Sequence, residues 1–259
     1  MNQLRLDLPI NVLSPGNIWG SYRHLSLPPP KLIPVQCGYV AQGIRGDLST
    51  ICCCWVEGQI SPKFKRKNII HTIYATLNFK DIMIATGKLA LKSFQMIRRD
   101  IDSFLGFELV GYDGSGQRVM AMCPNRRISN VIINDHVMSW VIPDEWTFED
   151  AATVPCLYAT SCYALYEKGK IKKGDKVLVH LGTGGVGQAA IHLALYEGCE
   201  VFTTVGTLEK RQFVRETFPS ILDDHIGNSR DISFEQMILE QTHGQGVDIV
   251  LNSLAEENL

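Results

Sequence analysis

The stretch KVLVHLGTGGVGQAAIHLAL, from Lys176 to Leu195, decides the fold. Its opening residues, Lys176 to His180, are a short apolar run of the kind that fills a buried parallel strand. Gly182, Gly184 and Gly187 follow at once in a G-x-G-x-x-G spacing. A helix is expected from Gln188 to Glu197 and a second strand from Glu200 to Thr204, which together make a βαβ unit of roughly 30 residues. Gly182 permits the tight turn, Gly184 lets backbone amides approach a pyrophosphate, and Gly187 lets the helix pack on the strand. The unpaired amides and positive dipole end of the helix start then hold the anion. A glycine-rich turn that binds nothing is the alternative, but it leaves the agreement of strand, turn, helix and second strand unexplained. The expected dinucleotide contacts here are Gly182, Thr183, Gly184, Gly185, Val186, Gly187 and Gln188.

A second cycle follows: a helix over Lys210 to Phe218, a strand near Asp224 to Ile226, a helix over Phe234 to Thr242, and the strand Val247 to Leu251. Four parallel strands result, where a doubly wound dinucleotide fold usually has six in the spatial order 3-2-1-4-5-6. The expectation is a Rossmann domain over residues 156–259, cut short after its fourth strand. At the end of the second strand an NAD-binding unit offers an Asp or Glu to the ribose 2′-hydroxyl. This chain reads Thr203-Thr204-Val205-Gly206-Thr207 there, with Lys210 and Arg211 one turn on. A carboxylate repels a 2′-phosphate, whereas hydroxyls and cations bind it through charge-assisted hydrogen bonds. The expected cofactor is therefore NADPH, held by Thr204, Lys210 and Arg211. Glu209 counts against this, and Lys210 and Arg211 also read as a solvated helix face.

Towards the N-terminus, residues 68–155 carry short alternating runs (Ile69 to Leu77, Arg118 to Met122, Val131 to Ile133, Val137 to Val141) between Gly, Asp and Pro turns, which predicts a small β-rich domain. Asp113-Gly114-Ser115-Gly116 reads as a hairpin turn, and Gly87 closes a helix over Asp81 to Thr86. Residues 1–67 are punctuated by prolines and end in the basic run Lys63 to Lys67, so they read as strands and connector. The basic run is a solvated linker or, alternatively, a dock for an acidic partner. With 25 basic against 27 acidic side chains there is no electrostatic case for nucleic acid or a membrane surface. The chain also lacks a signal peptide, an apolar run long enough to span a bilayer, and the repeated cysteine spacing of a disulfide framework, so the cytosol is the expected compartment.

The segments YATLNFKDIMIATGKLA (Tyr74 to Ala90), GFELVGYDGSGQRVMAM (Gly106 to Met122), WTFEDAATVPCLYATSCYAL (Trp146 to Leu165) and GCEVFTTVGTLEKR (Gly198 to Arg211) resemble the enoyl reductase region of animal fatty acid synthase. So do the glycine loop and GVDIVLNSLAEE (Gly246 to Glu257), and NIWGSYRHLSLP (Asn17 to Pro28) resembles the link that precedes that region. The family is the zinc-free branch of the medium-chain dehydrogenase/reductases. The fold implied is α/β, a truncated doubly wound Rossmann domain following a small β-rich GroES-like domain. The activity implied is transfer of a hydride from NADPH to the β-carbon of a trans-2-enoyl thioester on acyl carrier protein, with a proton to the α-carbon. The partners implied are the carrier protein and the other synthase domains, in a homodimeric parent.

Where zinc-dependent relatives resemble one another in Cys-Gly-x-Asp and Gly-His-Glu segments, this chain reads Asn78-Phe79-Lys80-Asp81 and Gly106-Phe107-Glu108, so no metal is expected. Cys52, Cys53 and Cys54 are contiguous, and successive strand residues point to opposite faces, so they cannot converge on one ion. The resemblance further implies Asn78 beside the nicotinamide ribose, Thr160 on the domain-linking helix at the cofactor, and Asn252 and Ser253 at the crevice. Asn78 also reads as a helix cap and Thr160 as a hydroxyl bonded to its own helix. No catalytic acid is assigned: related single-domain reductases place a tyrosine where this chain has Lys88-Leu89-Ala90, and the Lys and Asp donors of the animal synthases match positions beyond Leu259. His71 and His180 read as structural. Two other functions stay open: a zinc-free quinone oxidoreductase, and an inactive or purely structural fragment.

Overall fold

The computed structural model describes residues 11–14, 16, 18–21, 35–55, 69–89, 105–123 and 128–253. They fall into two units, Met1–Gln36 and Cys37–Leu259. In the first, β1 (Asn11–Ser14) and β2 (Ile18–Ser21) form an antiparallel hairpin, with Gly16 at φ 93° in the turn where a side chain would be strained. The basic run Lys63 to Lys67 lies outside the described residues, as do most of Asn17 to Pro28 and the end of the last matching segment.

The second unit begins with a hairpin of β3 (Gly38–Gln42) and β4 (Ile51–Trp55). A five-stranded antiparallel sheet follows, built from β5 (Ile69–Ala75), β6 (Glu108–Asp113), β7 (Arg118–Met122), β8 (Val131–Ile133) and β9 (Ser139–Val141) in the order β8-β5-β6-β7-β9. Helix α1 (Phe79–Ala85) leaves the end of β5, and Gly87, at φ 73°, lies just beyond its last turn. Because strand side chains alternate, Leu109 joins Ile70, Val119, Ala121 and Ile132 on one face while Val110 joins Ile142, Ala151 and Ala152 on the other. The β6–β7 turn is the expected one, with Asp113 accepting from the backbone N–H groups of Ser115 and Gln117, both at 2.9 Å.

Val40 N–H donates to Ile128 O at 2.8 Å, and the Gln42 amide donates to Ala85 O at 2.8 Å. The β3–β4 hairpin, within the stretch expected as strands and connector over 1–67, is therefore bonded to the β-rich domain. The partners lie more than 40 residues away in sequence, a separation that local punctuation does not reveal.

Helix α2 (Phe148–Ala152) is capped by Thr147, and α3 (Pro155–Cys162) starts at a proline, whose missing N–H costs nothing in a first turn. A wider π-helical turn, Tyr163–Lys168, extends α3. The second sheet is fully parallel: β10 (Lys176–His180), β11 (Glu200–Val205), β12 (Ile226–Asn228) and β13 (Ile249–Leu251), in the order β12-β11-β10-β13. Between them run α4 (Gly185–Tyr196), α5 (Leu208–Thr217) and α6 (Ser233–Gln241). Val177, Val179, Ala190, Ile191 and Leu251 form the core of one face; Leu178, Phe202 and Ile238 form that of the other. Burial on both faces is why these strands read as unbroken apolar runs. The order matches strands 3-2-1-4 of the doubly wound fold. Helices α4 and α5 start two or three residues earlier than the apolar pattern suggests, since Gly184 and Thr207 act as their caps.

Candidate functional site

The chain leaves β10 through Leu181, a non-glycine residue at φ 57°. A Cβ on Gly182 would lie 2.1 Å from Thr203 Oγ1, and one on Gly187 would lie 2.3 Å from Leu181 O and 2.9 Å from Gly182 Cα. Gly182 is thus required by the Thr203 side chain on β11, and Gly187 by the close approach of α4 to the backbone of the turn before it. Gly184 is the N-cap, with φ −73° and ψ 160°, and Gly184 and Gly185 are exposed. Gln188 holds the loop from behind, its amide donating to Thr183 O at 2.9 Å and its backbone N–H to Gly184 O at 2.8 Å. The N–H groups of Gly185, Val186 and Gly187 belong to the first turn of α4 and have no preceding helical carbonyl. An open helix start of this kind accepts a phosphate or diphosphate.

Beside the loop, the carboxyl ends of β11 and β12 frame a cavity of about 330 Å³, lined by Val205 to Leu208, Arg211, Gly227 and Asn228. Two of the expected ligands have other partners here. Thr204 is fully buried, and its hydroxyl is shared with His180 Nδ1 at 2.9 Å, so it does not face the cavity as a phosphate ligand. Arg211 lines the cavity, but its guanidinium donates to Ile226 O at 2.5 Å and to Asp223 O at 2.6 Å and pairs with the Asp223 carboxylate at 3.2 Å. It ties α5 to the segment before β12. Arg215 and Arg211 hold the Asp223 carboxyl well below the usual carboxylate range. Lys210 is exposed on the first turn of α5, where Thr207 caps its N–H at 3.3 Å.

A further cation near the cavity, which the reading of the second strand did not include, is Arg230. Its Nε donates to Gly206 O at 2.8 Å, and its backbone N–H bonds Asn228 Oδ1 at 3.1 Å. A Cβ on Gly206 would meet Arg230 Nε and Ser229 Oγ, each at 3.2 Å. Asn228-Ser229-Arg230 at the end of the third strand was the available signal, and a reading confined to the second strand passes over it.

A second group of residues surrounds the start of α1. Asp81, 2% exposed, accepts from Asn78 N–H and Gly106 N–H, both at 2.8 Å. The Asn78 amide donates to Glu108 Oε1 at 3.0 Å, and Cys156 N–H donates to Glu108 Oε2 at 2.6 Å. Burial pushes the Glu108 carboxyl up, opposed by these two hydrogen bonds. Burial likewise raises the Cys156 thiol and lowers the Lys80 ammonium, which stands 3.9 Å over the Phe107 ring. Helix α3 connects the two groups. Its Cys156 holds Glu108, a Cβ on Gly185 would lie 2.7 Å from its Leu157 side chain, and its Ser161 hydroxyl donates to Val186 O at 3.2 Å. Thr160, on the same helix, donates to Cys156 O at 2.7 Å, the self-capping alternative. Asn252 and Ser253 are exposed just past β13.

His180 is buried, lowered by desolvation and packed edge-on to Phe234 at 5.1 Å, a structural setting. His71 is exposed, on a strand internal to its sheet and not at an edge. Cys52 and Cys54 share a face, with sulfurs 3.8 Å apart. Among the described residues no group of three or more His, Cys, Asp or Glu side chains could hold a metal ion, and no helix is long and apolar enough to cross a membrane.

No family model matches the chain. It is similar to the highly reducing polyketide synthase cm3B of Cordyceps militaris, with 40% identity over 70% of this chain, and to dmxL2 of a Cryptosporiopsis species, with 33% identity over 100% of it. The chain spans only 7% and 11% of the length of these relatives. Among solved structures it is similar to the JamJ enoyl reductase (apo form), at 30% identity, TM-score 0.72, 85% of this chain and 68% of that one. The CurK enoyl reductase gives 28% identity and TM-score 0.74 over 86% of this chain and 68% of that one. Mycobacterial Rv1454c complexed with NADPH, at 23% identity, TM-score 0.65, 83% of this chain and 65% of that one, shares the fold. The named relatives are polyketide synthases, so the resemblance narrows to the enoyl reductase itself and its animal fatty acid synthase specificity finds no support.

Proposed function

The chain belongs to the enoyl reductase family of the medium-chain dehydrogenase/reductase superfamily, and on that premise we propose that it reduces the carbon–carbon double bond of a trans-2-enoyl thioester with NADPH, as part of a fungal polyketide synthase. The observation that carries this reading is the open glycine loop, where Gly182 and Gly187 exclude any side chain and leave the first amides of α4 facing out. Bound NADPH supplies a hydride to the β-carbon, and a proton completes the α-carbon.

The residues divide the work of holding that cofactor. The first-turn amides of Gly185, Val186 and Gly187 bind the diphosphate, as the helix-start geometry favours, while those of Gly182 and Gly184 donate to Thr204 O and Leu181 O and hold the loop. Thr207, Asn228, Ser229 and Arg230, with Lys210 nearby, bind the phosphate on the adenosine ribose in the cavity between β11 and β12. Arg230 takes the role expected of Arg211, because its guanidinium stands at Gly206 and Arg211 is engaged with Asp223. Asn78, Thr160, Asn252 and Ser253 serve the nicotinamide end. The setting is that of the polyketide synthase relatives: the enoyl group arrives on an acyl carrier protein, and the parent protein carries further synthase domains and pairs as a homodimer.

The test uses the full-length protein that contains this chain. Nicotinamide fluorescence titration is expected to show NADPH bound at least roughly tenfold more tightly than NADH, and Arg230→Ala is expected to remove most of that difference while leaving NADH binding unchanged. Enoyl thioester is expected to turn over faster than a quinone. A preference for NADH, or for the quinone, overturns the proposal.

A further inference from the structure

We infer that Glu108 is a positioning residue, whose ionised carboxylate fixes which end of the Asn78 carboxamide faces the nicotinamide. This rests on the placement of Asn78 beside the cofactor proposed above. An asparagine amide has a donor end and an acceptor end, and only its hydrogen-bond partners decide between them. Glu108 is 2% exposed, and each of its oxygens accepts one donor: Oε1 from Asn78 Nδ2 at 3.0 Å, Oε2 from Cys156 N at 2.6 Å. An ionised carboxylate only accepts, so it binds the amino end of Asn78 and turns the carbonyl end away. The Asn78 backbone is pinned separately, by Asp81 Oδ2 at 2.8 Å, so the carboxamide cannot relax by moving the chain. Asp81 is pinned in turn by Gly106 N–H, two residues before Glu108.

The same carboxylate sets the position of α3. Through Cys156 N–H it holds the first turn of the helix whose Leu157 and Ser161 sit against Gly185 and Val186 of the glycine loop. One buried group thus connects the nicotinamide corner with the diphosphate loop, and reacting groups misplaced by about 1 Å can cost roughly 100-fold in rate. A glutamine at this position keeps the size but offers one acceptor and one donor. It cannot accept from both Asn78 and Cys156, so either the Asn78 amide flips or the α3 contact is lost.

The experiment measures kcat and the KM for NADPH on the full-length protein with a short trans-2-enoyl thioester. Glu108→Gln is expected to lower kcat roughly 10- to 100-fold while moving the NADPH KM less than about threefold, because the phosphate contacts stay in place. Asn78→Asp sets two carboxylates together and is expected to lose at least as much. Combining Asn78→Asp with Glu108→Gln restores a donor facing an acceptor, since the introduced glutamine amide donates to the introduced aspartate carboxylate, and again turns an oxygen outward. The double variant is therefore expected to exceed Asn78→Asp in kcat by about tenfold or more. This comparison stands even if Glu108→Gln alone folds poorly. Near-normal kcat in Glu108→Gln, or a double variant no better than Asn78→Asp, overturns the inference. If Asn78→Ala keeps full kcat, the placement of Asn78 itself fails, a result distinct from a silent Glu108→Gln in a protein where Asn78→Ala is impaired.

Discussion

Replacing Gly187 by alanine separates two roles that the glycine loop combines. The added Cβ would lie 2.3 Å from Leu181 O, 2.9 Å from Gly182 Cα and 3.0 Å from Leu181 C, all backbone atoms that cannot swing away. Reaching even the 3.0 Å limit below which real Cβ contacts essentially do not occur takes a shift of 0.7 Å, the difference between 3.0 and 2.3. Overpacking of this kind costs roughly 1–3 kcal/mol, so a melting point several degrees lower is expected without any nucleotide present. The shift also moves the amides of the α4 first turn off the diphosphate. Losing about 1.5 kcal/mol from each of one or two such hydrogen bonds weakens NADPH by roughly 10- to 100-fold. Gly184→Ala is the control, since its φ of −73° suits alanine and its nearest neighbour is Leu181 O at 3.3 Å. It is expected to melt close to the wild type yet bind NADPH poorly, because the methyl group projects where the diphosphate sits. Thermal melts and fluorescence titration of both variants decide the matter. A Gly187→Ala protein with unchanged melting and binding refutes the packing argument, and a Gly184→Ala protein with unchanged affinity refutes the assignment of the loop.

Two further outcomes follow from the buried pair behind the cavity. Thr204→Val is expected to leave the preference for NADPH over NADH unchanged and to cost roughly 1–3 kcal/mol in a denaturant melt, because His180 Nδ1 loses its partner. Burial holds His180 below its ordinary value of 6.5, so the unfolded chain takes up a proton at this site before the folded protein does. Its share of stability is complete above that value and declines as pH falls below it; melts between about pH 8 and about pH 5 are expected to show a smaller acid loss in His180→Asn than in the wild type.

The parallel sheet was legible because its signal is local. Strands buried on both faces show as apolar runs at Lys176, Glu200 and Val247, and G-x-G-x-x-G fits few other arrangements between a strand and a helix. What was not legible depends on distance along the chain. The Gly38 N–H meets the Asn130 side chain 92 residues away, which attaches the β3–β4 hairpin to the β-rich domain. Glu108 meets Cys156 across 48 residues, and nothing in the periodicity of β6 marks its one buried carboxylate as the partner of a helix start. Asn78 lay between two readings that local sequence does not separate: it is the N-cap of α1, with its N–H donated to the Asp81 carboxylate, and its amide reaches Glu108 across 30 residues.

The burial of Thr203 and Thr204 has its cause in the ladder register. In an open parallel sheet a ligand is reached only past the carboxyl ends of the strands. Strand β11 stays paired with β10 through His180 and Thr204, and with β12 through Val205 and Asn228. Thr203 and Thr204 therefore lie inside the sheet, fully buried, each hydroxyl bonded to β10: Thr203 to Val179 O at 2.8 Å, Thr204 to His180. The crevice opens from Val205, the last residue of β11, and from Gly227 and Asn228 on β12, while Arg230, just past β12, bonds Gly206 O and Thr204 stays inside the ladder. The rule extends across the sheet. The β10–β13 ladder ends at Val179 and Leu251, so Asn252 and Ser253, like Leu181 and the glycines that follow it, stand on the open side where a dinucleotide can be met.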